Sequence, residues 1–154
     1  MAFYQFTKTQ HVNRPLSEMW EFISNPGNLK KITPEEMGFD ITSGPLPSKM
    51  YAGMIISYKV APLLGIKTTW VTEITQVKDQ CYFIDEQRVG PYKIWHHQHF
   101  LEATETGTKM IDIVSYEPPL GILGRLANTL FIKRKLEEIF NYRTTVLDKL
   151  FPDN

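Results

Sequence analysis

The residues of this 154-residue chain best suited to chemistry lie in one stretch, GPYKIWHHQHFLEATETGTKM, residues 90–110, where His96, His97 and His99 follow Trp95. Imidazole titrates close to neutral pH, so such a cluster suits proton transfer, metal ligation or a polar patch inside a binding cavity. The aromatic and β-branched content predicts a strand, and strand side chains alternate. Trp95, His97, His99 and Leu101 then share one face, while Ile94, His96, Gln98 and Phe100 share the other. The three histidines divide two and one.

His-x-His on a strand points two imidazoles the same way, and Asp112 could add a third metal ligand. No helical His-x-x-x-His and no cysteine pair supports such a centre, so no metal and no cofactor is expected. General acid–base work needs a titratable group near neutrality beside the reacting atom. His97 or His99 next to Asp112 or Asp85, with Tyr116 as a hydrogen-bond donor, meets that need, and His97, His99, Asp112 and Tyr116 are the catalytic candidates. The same groups could equally form a satisfied polar network that reacts with nothing.

The partners of these residues follow from strand register. If Thr106-Gly107 is a two-residue turn, His99 opposes Val114 and His97 opposes Tyr116. The His97/His99 face then carries Asp112, Val114 and Tyr116, and across the RVGPY turn it gains Phe83, Asp85 and Gln87. Ile94, Phe100, Ile111 and Ile113 make the opposite face apolar too, so hydrophobicity alone does not choose. The His97/His99 face gathers aromatics with polar groups that can satisfy one another, as a pocket lining needs.

Elements able to hold this patch are legible on both sides of it. AFYQFTKTQHV alternates like a strand. Leu16, Met19, Trp20 and Ile23 then recur at helical spacing between Pro15 and the stop Asn25-Pro26-Gly27, and a second short helix, GNLKKI, ends before Pro34. Residues 34–52 read as a long loop with one short strand at FDITSG, able to rim a pocket or meet a partner protein. Five β-rich runs follow, separated by PLLG, KDQ, GP and TETG, which predicts an antiparallel meander. Cys81 reads as a small buried hydrophobe in one of these strands.

Beyond Pro118-Pro119 the chain turns helical. Gly121 and Gly124 place the expected start near Arg125. Leu136, Ile139, Arg143, Val146, Leu147 and Leu150 then form an inward stripe. A buried guanidinium needs a carboxylate or an anionic ligand, and Asp85 and Asp112 are available; the alternative is that Arg143 reaches the cavity mouth and pairs with a surface acid. These elements admit no parallel crossovers. They predict an α+β helix-grip arrangement over residues 1–154 as one domain: a curved antiparallel sheet around a long C-terminal helix, two short helices after the first strand, and a cavity between sheet and helix.

Seventeen basic side chains balance seventeen acidic ones, so no net field draws the chain to nucleic acid or to an anionic membrane. The run KRK at 133–135 reads as a solvated helix face. The longest apolar stretches, GMII and APLLGI, fall far short of the ~20 residues that span a bilayer. One cysteine and an N-terminus without signal-peptide character point to the cytoplasm.

Several motifs in this order resemble a known superfamily: G-x-x-I-x-Y (53–58), W-x-T-x-I (70–74), F-x-D-x-Q (83–87), GP-x-x-x-W-x-H-x-H (90–99), GT-x-M-x-D-x-V-x-Y (107–116) and F-x-x-R (140–143). They are similar to the SRPBCC, START-like group that includes birch-pollen-allergen-like proteins and polyketide cyclases. The likeness is strongest to its small bacterial branch described as ligand-binding or cell-division-inhibitor-like. Leu101 departs from the pattern, which has an aromatic there. The resemblance implies a small hydrophobic or amphipathic ligand, such as a lipid or polyketide, in the grip cavity. Its expected lining is Tyr58, Trp70, Phe83, Asp85, Gln87, Trp95, His97, His99, Asp112, Tyr116, Leu136 and Arg143, with Met50, Met54 or Met110 as adaptable walls. A cyclase, dehydratase or hydrolase using the histidine cluster, as in the cyclase relatives, is the alternative; a regulatory module acting on a protein partner is a third.

Overall fold

The computed structural model describes residues 3–61 and 65–152. Strand β1 (Tyr4–Val12) leads into helix α1 (Leu16–Ile23), entered through Pro15 and buried along Met19, Trp20 and Ile23. A 3-10 segment over Pro26–Ile32 follows, started by the Asn25 side chain, which accepts from the Gly27 N–H at 2.9 Å. The long loop contains a further single turn, Glu35–Met37, and the short strand β2 (Asp40–Ile41). Then come β3 (Met54–Val60), β4 (Thr68–Lys78), β5 (Tyr82–Val89), β6 (Ile94–Thr104) and β7 (Gly107–Glu117). Of the expected PLLG turn, residues 62–64 lie outside the described part. Cys81 sits half-buried in the turn between β4 and β5, not within a strand.

All seven strands pair antiparallel in the order β1-β7-β6-β5-β4-β3-β2. Bulges between β4 and β5, near Val71 and Ile74, interrupt the ladder where the sheet must bend. On β6 the buried side chains are His97, His99 and Leu101, with Trp95 half-buried beside them; Ile94 is exposed on the other side and His96, Gln98 and Phe100 are only half-buried. The concave face is therefore the His97/His99 face.

The register across the β6–β7 hairpin differs from the expected one. Thr104 pairs with Gly107, so the turn is Glu105-Thr106, and His99 opposes Asp112, His97 opposes Val114 and Trp95 opposes Tyr116. A shift of two residues leaves every side chain on its expected face. Gly107 is needed for strand approach instead of the turn. It lies at φ 153°, and an added Cβ would collide with the Val12 carbonyl oxygen on β1.

Helix α2 (Gly121–Ala127) continues through a π turn (Asn128–Ile132) into α3 (Lys133–Leu150), giving a helix of 30 residues in all. It begins at Gly121 and not near Arg125. Gly124 is the reason, because a Cβ there would strike the Pro119 carbonyl oxygen, and its absence lets the first turn fold against the end of β7. The buried face of α3 is Leu136, Phe140 and Leu147, while Leu150 is exposed. Phe140 thus belongs to the inward stripe, at i+4 from Leu136, and Leu150 does not. Leu101 packs in the cluster under α1 with Met110, Met54 and Leu147.

Gly107→Ala is expected to cost about 2–3 kcal/mol, combining backbone strain with the collision against β1. Urea unfolding at unchanged slope measures this, and a loss below about 1 kcal/mol would contradict the close-approach role.

Candidate functional site

A cavity of about 140 Å³ lies between the concave sheet and the C-terminal helix. Tyr58, Trp70 and Trp95 wall one part of it. Tyr58 and Trp70 lie nearly parallel with centroids 6.2 Å apart, and Trp95 meets Trp70 edge-on at 5.2 Å. Burial pushes the Tyr58 phenol up, and its hydroxyl shares a 3.0 Å hydrogen bond with Thr72 Oγ1. Phe83, Asp85, His97, His99 and Arg143 line the part toward β5 and β6, and Leu136 closes the helix side. Met50 reaches the wall, whereas Met54 and Met110 do not.

Three expected lining residues stand off this wall. Gln87 braces the β5–β6 connection, where its Nε2 donates to the Tyr92 carbonyl at 2.7 Å and its Oε1 accepts from the Tyr92 N–H at 3.2 Å. Tyr116 donates to Asn128 Oδ1 at 2.8 Å, which ties β7 to the π turn, and its phenol is pushed up to about 12, first by burial. Asp112 sits behind the histidines. In their place Tyr92, Phe39, Ile132 and Phe140 reach the cavity. Phe140 is legible from helical spacing, but Tyr92 and Phe39 come from irregular chain, where no periodicity marks an inward side chain.

The polar part is one connected group. Asp112 Oδ1 accepts from His97 Nε2 at 2.9 Å and from Arg143 Nη1 at 3.3 Å, and it lies 3.0 Å from His99 Nδ1. His99 Nε2 meets Asp85 Oδ2 at 2.8 Å. The imidazole centroids are 3.7 Å apart; Phe83 stacks on His99 at 4.0 Å, and the Arg143 guanidinium lies over Phe140 at 4.8 Å. Arg143 therefore pairs inside, with Asp112, and does not run out to a surface acid.

These contacts assign the protons. Both ring nitrogens of His99 lie close to carboxylate oxygens, Nε2 at 2.8 Å from Asp85 and Nδ1 at 3.0 Å from Asp112, an arrangement that favours the imidazolium. Burial alone would lower its pKa, but Asp112 and Asp85 raise it above the ordinary value. For His97, burial and then the His99 charge push the pKa down to about 4, against the opposing bond to Asp112. His97 is thus neutral, with hydrogen on Nε2, and its Nδ1 stands 3.7 Å from Asp85 Oδ2, beyond hydrogen-bond reach. Burial would raise Asp112, yet the His97 and His99 contacts and the Arg143 charge hold it well below the usual carboxylate range; Asp85 is lowered in the same way, chiefly by His99. Two carboxylates, one guanidinium and one imidazolium sum to no net charge.

Ligand atoms of Asp85, His97 and His99 all fall within 4.8 Å of one another, a spacing a metal ion could use. The donor set is a poor fit: His99 already directs both nitrogens at carboxylates, and Arg143 supplies a fixed positive charge to the same cluster. The geometry is that of a proton-sharing ion network.

A curved seven-stranded antiparallel sheet closed over a long helix, with an aromatic cavity between them, defines the helix-grip class. No family model and no curated protein matches the sequence. Solved structures match the fold along almost the whole chain. The major latex-like protein 151 of Panax ginseng aligns over 98% of this chain and 99% of its own, at 10% identity and TM-score 0.71. A protein from Chromobacterium violaceum aligns over 97% and 99%, at 12% and 0.71. Ara h 8.0201 aligns over 96% and 99%, at 13% and 0.62. The fold is the helix-grip fold that these structures share. No helix among the described residues is long and apolar enough to cross a membrane.

Nitrogen-detected NMR at neutral pH is expected to show His99 protonated on both ring nitrogens and His97 on Nε2 alone, with His97 taking its second proton only near pH 4. A neutral His99 or a charged His97 at neutral pH would overturn the proton assignment. Asp112→Asn leaves two buried cations without their shared carboxylate and is expected to cost about 3–5 kcal/mol in chemical unfolding; a change under about 1 kcal/mol would show that the network does not organise the site.

Proposed function

We propose that the protein binds a small amphipathic molecule whose apolar part lies against Tyr58, Trp70 and Trp95 and whose polar end faces His97, Asp85 and Arg143. The observation that carries this reading is a mostly apolar cavity bounded on one side by a charge-balanced ion network. Such a boundary offers hydrogen-bond partners to the polar end of a ligand whose remainder is apolar. A cavity near 140 Å³ is close to the ~150 Å³ apolar cavity that holds benzene. The enclosed part of the ligand is therefore about one ring or a short branched chain, as a fragment of a lipid or polyketide would provide.

Two buried N–H donors on lining side chains, Trp70 Nε1 and Arg143 Nε, have no partner among the described residues. Such donors are costly to leave unpaired, which favours a ligand bearing an acceptor, and a carboxylate best of all beside a guanidinium. A cytoplasmic setting agrees with the lone cysteine.

One atom favours a second reading, in which His97 Nδ1 takes a proton from a bound substrate in a cyclisation or dehydration. Its lone pair is uncommitted, but the pKa near 4 makes it a weak base at neutral pH. Binding without chemistry is the stronger reading.

Titration with cinnamate, an aromatic ring carrying a carboxylate, is expected to quench tryptophan fluorescence at one equivalent. Cinnamyl alcohol should bind at least about tenfold more weakly, for want of the charge-assisted bond. If neither probe binds, and native mass spectrometry of freshly purified protein shows no co-purified small molecule, the binding reading fails.

A further inference from the structure

Helix α2 and the π turn are turned inside out. Their buried positions are Gly124, Asn128 and Ile132, while Leu120, Ile122, Leu123, Leu126, Leu130 and Phe131 are 48–74% exposed. Asn128 is held inward by Tyr116 and Gly124 by its contact with Pro119, so the exposed side is fixed by structural anchors and not by fraying. Ile122 and Leu126, and Leu126 and Leu130, stand one helical turn apart, and Leu123 lies between them. Six large apolar side chains over twelve residues form a continuous stripe of the kind that soluble monomers rarely leave in water.

The charges around the stripe are of one sign. Between Pro118 and Leu136 the sequence has Arg125, Lys133, Arg134 and Lys135 and no acidic residue, although the whole chain is neutral. Arg134 and Lys135 lean on Glu138, and Lys135 also on Glu36; Arg125 and Lys133 join no ion pair among the described residues. Lys133 follows Leu130 by three positions and Arg125 adjoins Leu126, so these cations flank the apolar stripe. Two copies meeting through this face about a twofold axis would bring like charges together. An anionic lipid surface would receive both the apolar stripe and the cations.

We infer that the Leu120–Arg134 face docks on the surface of an anionic bilayer, lying in the interface without crossing it. Ile132, at the end of the same segment, lines the cavity, so docking brings one cavity wall to the membrane surface. The inference stands independently of what fills the cavity.

Vesicle co-sedimentation tests it, with vesicles of phosphatidylcholine alone and of an equal mixture with phosphatidylglycerol. The wild-type chain is expected to partition onto the mixed vesicles. Arg125→Gln with Lys133→Gln should lower that partition about thirtyfold and leave any binding to neutral vesicles unchanged. Leu126→Asp should lower it at least about tenfold, and being exposed should leave thermal unfolding near wild type. Absence of wild-type partition onto the mixed vesicles overturns the inference, as does wild-type partition by Leu126→Asp. Light scattering that shows a wild-type dimer, dispersed by Leu126→Asp with no vesicle binding, assigns the face to a second copy and overturns it as well.

Discussion

The site depends on Asp112. It is a buried carboxylate on the middle of β7, and it would be prohibitively expensive there without partners. One of its oxygens takes hydrogen from His97 and Arg143 and faces His99. This single atom therefore joins β6, β7 and the C-terminal helix. The same contact sets the protonation of both imidazoles, since His99 can carry its charge only between two carboxylates and His97 must then remain neutral beside it. Fold and chemistry share one constraint: sheet and helix must approach closely enough to pair Arg143 with Asp112, and no closer than the aromatic walls allow.

The cavity arises from that spacing. The bulged β4–β5 pair bends the sheet, and a straight helix cannot fill the concavity along its whole length. Around Met19, Leu101, Met110 and Leu147 the buried side chains pack against one another. Toward Trp70, Tyr92 and Trp95 the side chains are large, rigid and mutually propped, so they leave space instead of collapsing into it. The histidine group lies at the boundary between these regions, with Phe83 of the first against His99 and Phe140 of the second against His97.

Much of this was legible in the sequence because it depends on period alone. Alternation separates His97 and His99 from His96 whatever the turn, and a hairpin error of two residues moves partners without moving faces. The turn assumed from Thr106-Gly107 thus pairs His99 with Val114 in place of Asp112, yet leaves His97 and His99 on the concave face. Helical spacing likewise placed Leu136 and Arg143 inward. The features that escaped depend on contacts between distant backbone segments. Gly107 looks like a turn residue until β1 is laid beside it. Gly124 looks like a helix breaker until Pro119 is seen to occupy the space of its missing side chain. Gln87 and Tyr116 lie on strands whose side chains point toward the site, yet each is diverted by a bond to a loop or helix that strand periodicity does not describe.

The C-terminal helix shows how one element can meet two environments. Over α3 the apolar positions face the sheet and the charged ones face water, the ordinary solution for a helix on a sheet. Over α2 and the π turn the inward positions are a glycine, an asparagine and one isoleucine, and the large apolar side chains face out. The inward positions Gly124, Asn128, Ile132, Leu136 and Phe140 recur every four residues through the junction, so the buried face is continuous and it is the side chains placed on it that change. The wider repeat of the π turn at Asn128–Ile132 keeps these positions in line where a 3.6-residue repeat would let them drift. The hydrogen bond from Tyr116 to Asn128 holds Asn128 on the inward face. Tyr116, expected to meet a ligand, thus acts on the site from behind: it anchors the turn at which the large apolar side chains pass from the outer face of the helix to the inner one.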